Sequence, residues 1–176
     1  MSTPQSPYSY QGESSRADWL RSDGGTLTGN VIFPGKIDAD IQFYGATGAA
    51  FNILTGTDNN GDGVFNDRPS YAVAPGAGVY STRYGLLTSN AVNGNVPRNA
   101  GTMPPLFRLA LNLNRSFTLN PGDKDHPRTL SFNARAANLL NHTNVTSVNQ
   151  VLSTTLGQPI VAEPARRIEF GARFAF

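Results

Sequence analysis

The chain has 176 residues, of which 15% are charged, with a formal net charge of +2, 18 glycines, 12 prolines and no cysteine. That length suits one ordinary domain, the dispersed Lys and Arg make no nucleic-acid surface, and the lack of cysteine removes disulfides and thiol chemistry. Mean hydropathy is -0.30, and no stretch approaches the roughly 18 consecutive apolar residues of a membrane helix, a test that alternating membrane strands escape.

Met1 to Asp18 is rich in Ser, Pro and Tyr and lacks the apolar stretch of a secretory signal. Residues 1–18 are therefore expected as a disordered or loop segment ahead of one β-structured segment, residues 19–176, and the chain reads as the C-terminal piece of something longer. Five stretches then alternate with period two, the spacing that puts side chains on opposite faces of a strand. Thr26 to Phe33 sets Leu27, Gly29, Val31 and Phe33 on one side and runs into the turn pair Pro34-Gly35. Asp38 to Ala46 sets Ala39, Ile41 and Phe43 against Asp40, Gln42 and Tyr44. Leu106 to Leu119 opposes Phe107, Leu109, Leu111, Leu113 and Phe117 to Arg108, Ala110, Asn112, Asn114 and Ser116, with Arg115 the one misfit on the apolar side. Arg128 to Asn138 opposes Leu130, Phe132, Ala134 and Ala136 to Ser131, Asn133 and Arg135. The last stretch, Arg166 to Phe176, opposes Ile168, Phe170, Ala172, Phe174 and Phe176 to Arg167, Glu169 and Arg173.

This pattern predicts an all-β fold: an antiparallel meander of about five strands forming the C-terminal part of a transmembrane β-barrel, with long extracellular loops. An Arg facing lipid costs about 2–4 kcal/mol near the membrane midplane and about 0–1 kcal/mol near the interfaces. The register above puts Arg108, Arg135, Glu169 and Arg173 in the lumen, where they would hydrate it or pair across strands, as Glu169 would with Arg135, the alternative being contact with a plug or a passing ligand. Arg115 lies near a strand end, where it reaches the interface. Trp19, Tyr44, Phe33, Phe117 and Phe174 suit interfacial aromatic girdles. The links Pro34 to Ile37 and Asn120 to Pro127 are short, whereas Thr47 to Pro105 and Asn141 to Ala165 are long. Counting back from Phe176, both long links fall on one side and both short ones on the other, the loop asymmetry of outer-membrane barrels. A soluble β-sandwich, serving as a surface adhesion or carbohydrate-binding module, is the rival architecture.

Within the first long link, Asp58-x-Asn60-x-Asp62-Gly63 has the odd-position oxygens and turn glycine of a calcium loop. Calcium there would take the Asp58, Asn60 and Asp62 side chains, the Val64 carbonyl, and Asn66 directly or through water. Pro69 stands where an EF-type loop needs a bidentate Glu, and a Gly/Asn/Asp turn with no metal is the alternative. His126 and His142 are expected as surface residues. No nucleophile, base and acid fall into a catalytic arrangement, so no enzymatic activity and no organic cofactor are expected. Asn141-His142-Thr143 and Asn144-Val145-Thr146 match glycosylation acceptors by accident of composition.

Several phrases taken together resemble the final strands and loops of TonB-dependent outer-membrane receptors, in particular the Oar-like group with a carboxypeptidase-regulatory-like domain. They are AFNILTGTDNNGDGVFNDRP (50–69), VPRNAG (96–101), FRLALNLNRSF (107–117), ARAANLLNHTN (134–144) and ARRIEFGARFAF (165–176). The resemblance covers about residues 19 to 176. It implies a cell outer membrane location in a Gram-negative-type bacterium and a part in TonB-dependent uptake of a ligand that the sequence does not name. It also implies outer-membrane lipid, the rest of the barrel and its plug as partners, with TonB engaged only through an N-terminal part outside this sequence. In that family the C-terminal strand is the sorting signal read by the barrel assembly machinery, which here is Ile168, Phe170, Phe174 and Phe176.

Overall fold

The computed structural model describes residues 3–18, 20–123 and 126–176. Among these residues every regular element is a strand. The five alternating stretches form β1 (Gly24–Phe33), β2 (Ile37–Ala46), β8 (Leu106–Thr118), β9 (Thr129–Ala137) and β12 (Arg167–Ala175). They pair antiparallel in the order β1-β2-β8-β9-β12, each long strand lying beside the next long strand in the chain. The fold is thus an antiparallel β-meander. It is an open sheet, with β1 and β12 as its two edges.

Register decides which side chains share a face, because residues directly opposite across a ladder project the same way. Val31 pairs with Ala39, Ala39 with Leu113, Leu113 with Ala134, and Ala134 with Phe170. The next row runs Gly29, Ile41, Leu111, Ala136, Ile168. The sets assigned from alternation therefore fall on one continuous apolar face across all five strands. A slip of one residue in any ladder would have broken these rows. The face is open: Leu27, Phe33, Phe132, Ile168, Phe170 and Phe174 are all exposed, Phe170 to 82%.

Short connections hold the register at one end. Lys36 N–H donates to Phe33 O at 3.1 Å and Gly35 has φ +84°, the type II geometry that Pro34-Gly35 favours. Between β8 and β9, Leu119 N–H donates to Arg128 O at 2.8 Å, and the Asn120 side chain donates to His126 O at 2.7 Å. The polar run expected in this turn includes Lys124 and Asp125, which lie outside the described residues, as does the girdle candidate Trp19.

The chain divides into two compact units. The long sheet belongs to one, made of Asp23–Ala46, Leu106–Asn144 and Glu163–Phe176. The other gathers the described residues of Met1–Ser22 with Thr47–Pro105 and Val145–Ala162. Its strands are short: β3 (Ala50–Phe51) with β7 (Gly101–Thr102), β4 (Ser70–Tyr71) and β5 (Val79–Thr82) on either side of β6 (Gly85–Thr88), and β10 (Val145–Val148) with β11 (Pro159–Ala162).

The two long links, expected as loops, thus share a core of their own. Phe51, Ile53, Leu87 and Val96 come from the first, and Val145, Val148, Leu152 and Leu156 from the second. Backbone bonds join them, Leu54 N–H to Gln150 O at 2.9 Å and Leu152 N–H to Leu54 O at 2.8 Å. Residues 3–18 carry almost no regular structure but are fastened to this unit. Gln5 is buried, its Oε1 accepting the Arg68 N–H at 3.0 Å, and Asn99 Nδ2 donates to Arg16 O at 2.6 Å.

Candidate functional site

The face of the sheet opposite the apolar one concentrates the polar chemistry. Asp40, Asn112, Arg135 and Glu169 form one row across β2, β8, β9 and β12, and Tyr44 and Arg108 stand opposite each other in another. Arg173 lies opposite Ser131, which pairs with Ser116, and the two serine hydroxyls are 2.8 Å apart. Arg108, Arg135, Glu169 and Arg173 therefore share one face. Asn30 Nδ2 donates to Asp40 Oδ1 at 2.9 Å, continuing the polar ladder to β1.

Two pairings were not legible in the sequence. Arg108 makes a two-pronged ion pair with Glu163, its Nε donating to Oε2 at 2.8 Å, and its guanidinium lies 5.3 Å from the centre of the Tyr44 ring. Glu163 comes from the link before β12 and carries no spacing signal that would have singled it out. Glu169 pairs with Arg167, not with the Arg135 opposite it. Residues two apart on a strand project from the same face, which puts the long Arg167 side chain within reach. A depression of about 650 Å³ opens over this region, lined by Gln42, Tyr44, Arg108, Asn138, Glu163 and Arg167 among others.

Arg115, the misfit on the apolar side, lies opposite Phe132 and places its guanidinium 4.7 Å from the centre of the Phe117 ring. Phe117 in turn meets Phe132 edge-on at 6.2 Å, and Phe174 stacks on Phe176 at 5.7 Å. Of the four residues of the expected assembly signal, Ile168, Phe170 and Phe174 project from the apolar face, and Phe176 is exposed.

The histidines divide. His126 is an exposed turn residue, 3.8 Å from Asp123. His142 is half-buried instead, edge-on to Phe107 at 5.3 Å with Nδ1 3.0 Å from Asn144 Oδ1. Asn144 is fully buried and serves as a backbone substitute: its Oδ1 accepts the Phe107 N–H at 2.8 Å and its Nδ2 donates to Phe107 O at 2.9 Å. Its side-chain amide is thus committed inside the fold.

In the other unit, the Asp58 loop is held by its own carboxylates and amides. Asp58 Oδ1 accepts the N–H groups of Gly61 and Asp62 at 2.8 and 3.1 Å, and Oδ2 accepts that of Gly63 at 2.9 Å. Asn60 Oδ1 accepts the Asp62 N–H at 3.0 Å and Asp62 Oδ1 the Val64 N–H at 2.8 Å. Gly61 and Gly63 both have positive φ, +72° and +81°. The Asn66 side chain turns its Nδ2 toward Thr3 and Pro4. Among the described residues no three His, Cys, Asp or Glu side chains are gathered about one point where they would hold a metal ion.

Nearby, Glu13 bridges Arg68 at 2.6 Å and Arg98 at 3.6 Å, with the Glu13 and Arg68 side chains only 8% and 4% exposed. Burial alone would raise the Glu13 carboxyl pKa. The Arg68 hydrogen bond, the Gln5 N–H and the charges of Arg68 and Arg98 outweigh it and hold the group below its ordinary range.

Comparison with protein-family models, curated proteins and solved structures finds no match to this chain.

Proposed function

We propose that the five-stranded sheet is a wall segment of an outer-membrane β-barrel of the TonB-dependent receptor type, without enzymatic activity, and that the two long links are its extracellular loops. The observation that carries this reading is the apolar face, left open across five strands with Arg115 its one charged residue, and backed by the face that carries the sheet's other charged side chains. A soluble sandwich folds its apolar faces against one another. A barrel wall turns them toward lipid and turns its polar side chains inward.

Dimensions support the same reading. On β8 the apolar side runs from Phe107 to Phe117, which at about 3.4 Å per residue is roughly 34 Å along the strand. Tilted by about 35–45°, that length gives roughly 25 Å of height, the extent of a barrel's apolar band. Aromatic residues sit toward both ends of it, Phe43 and Phe107 at one and Phe117, Phe132 and Phe174 at the other, and between them lie Leu, Ile, Val, Ala and Gly residues with Phe170 the one aromatic. In this reading Arg108, Arg135, Glu169 and Arg173 face the lumen, the edges of β1 and β12 pair with further strands, and Phe174 and Phe176 belong to the strand the assembly machinery reads. Sheet edges left open in a bilayer would cost several kcal/mol per unsatisfied group, so strands from the rest of the receptor complete the cylinder.

The chain has no cysteine, which makes the test direct. Single cysteines at positions 109 to 114, spin-labelled in the chain held in detergent micelles, where water reaches the open edges of β1 and β12, should alternate. Positions 109, 111 and 113 are expected to be accessible to dissolved oxygen and shielded from a water-soluble nickel chelate, with 110, 112 and 114 reversed. Labels at 109, 111 and 113 shielded from both reagents would mean a sealed protein interior and would sink the proposal.

A further inference from the structure

The loop Asp58 to Asp67 carries three carboxylates, and among the described residues no Arg, Lys or His pairs with Asp58, Asp62 or Asp67. Asp67 stands apart from the other two in burial. It is 0% exposed, a rare state for an unpaired carboxylate because taking the charge out of water without a counter-charge is costly. Its side chain is turned into the loop: Oδ2 accepts the N–H groups of Asn59 and Asn60 at 2.6 and 3.2 Å. Oδ1 is buried and has no hydrogen-bond partner, and the same holds for Asn66 Oδ1 one residue earlier. Two buried oxygens without donors thus stand beside a loop of the form Asp-x-Asn-x-Asp-Gly, the kind of acceptor that a bound cation would satisfy.

From this we infer that the loop is a calcium site in which Asp67 supplies the ligand that Pro69 cannot. Asp58, Asn60 and Asp62 contribute side-chain oxygens, and Val64 contributes its carbonyl. Asp67 and Asn66 complete the set from the buried side. Calcium suits this mixture because it accepts six to eight oxygens in flexible geometry, whereas magnesium demands a near-ideal octahedron and keeps its waters. Asp58 already orders the backbone through the Gly61, Asp62 and Gly63 amides, so the loop arrives partly organised. The carboxylates are not drawn onto one point, and binding closes them inward. With three carboxylates and no bidentate Glu, affinity belongs to the weak extracellular class, a Kd of about 10⁻⁴–10⁻³ M. This inference does not depend on where the long sheet resides.

The test is calorimetric titration of the full chain, stripped of metal and held in detergent micelles, with calcium alone and then with magnesium alone. One calcium per chain is expected, with magnesium giving no saturable heat. Asp67→Asn keeps an oxygen for the Asn59 and Asn60 amides but removes the negative charge, so calcium affinity should fall at least tenfold while Asp123→Asn changes nothing. Amide exchange at Gly61 to Val64, slowed by calcium in the parent chain, reads the same event without heat. Should Asp67→Asn fail to fold, Asp62→Asn, which retains an acceptor for the Val64 N–H, takes its place with the same tenfold loss expected. No calcium uptake by the parent chain, or a folded Asp67→Asn chain binding calcium as the parent does, overturns the inference.

Discussion

Glu13 shows how a single side chain can hold down a segment with little regular structure of its own. Its carboxylate meets Arg68 and Arg98 and takes the Gln5 N–H, tying residues 3–18 to the second unit. Removing one member of a buried pair leaves the other charge stranded, so Glu13→Ala should destabilise this unit by about 3 kcal/mol. Because the folded carboxyl is held below its ordinary value of 4.5, its contribution is complete above that value and is lost as pH falls through the folded one. Proteolysis between residues 3 and 18 should therefore accelerate only on acidification below pH 4.5, and should be fast at neutral pH in Glu13→Ala. Asn144 works by the same logic without charge, supplying the donor and acceptor that the Phe107 backbone lacks at the start of β8.

A strand is legible because its period is two and its consequences are all-or-none. In β8, Leu111 and Asn112 are neighbours in sequence and belong to opposite faces. If the apolar face meets lipid, Leu111→Arg should cost about 2–4 kcal/mol, Phe117→Arg near the strand end about 0–1 kcal/mol, and Asn112→Arg little. Urea unfolding of the chain in detergent micelles, followed by far-ultraviolet circular dichroism, measures all three. Equal losses at Leu111 and Asn112 would contradict the two-faced sheet. Arg115 fits the same picture as the exception, since it lies beside the short turns, with its charge over the Phe117 ring.

For the whole molecule, the presence of two units predicts two separable stabilities. Leu87 is fully buried among residues drawn from both long links, so Leu87→Ala should cost that unit about 2–5 kcal/mol through lost burial and the cavity left behind. Hydrogen exchange should then speed up at Phe51, Ile53 and Val148 while protection in β8 and β9 stays as it was. Loss of protection in both sets together would mean that the two units share one cooperative core.

The five long strands, their boundaries to within about two residues, and the membership of both faces were determined by the sequence alone, because alternation is a local property that needs no knowledge of the partner strand. The short turns were legible for a like reason: Pro34-Gly35 specifies its own backbone angles. Only the tertiary structure decided that the long links make a core together, since Phe51, Leu87, Val148 and Leu156 come from segments distant in sequence and no short-range period connects them. It likewise decided the Arg108–Glu163 pair, the burial of Asn144 and the enclosure of Asp67. Each of these depends on where two distant backbones pass each other, and pairwise contact of that kind leaves no mark on the spacing of residues along a chain.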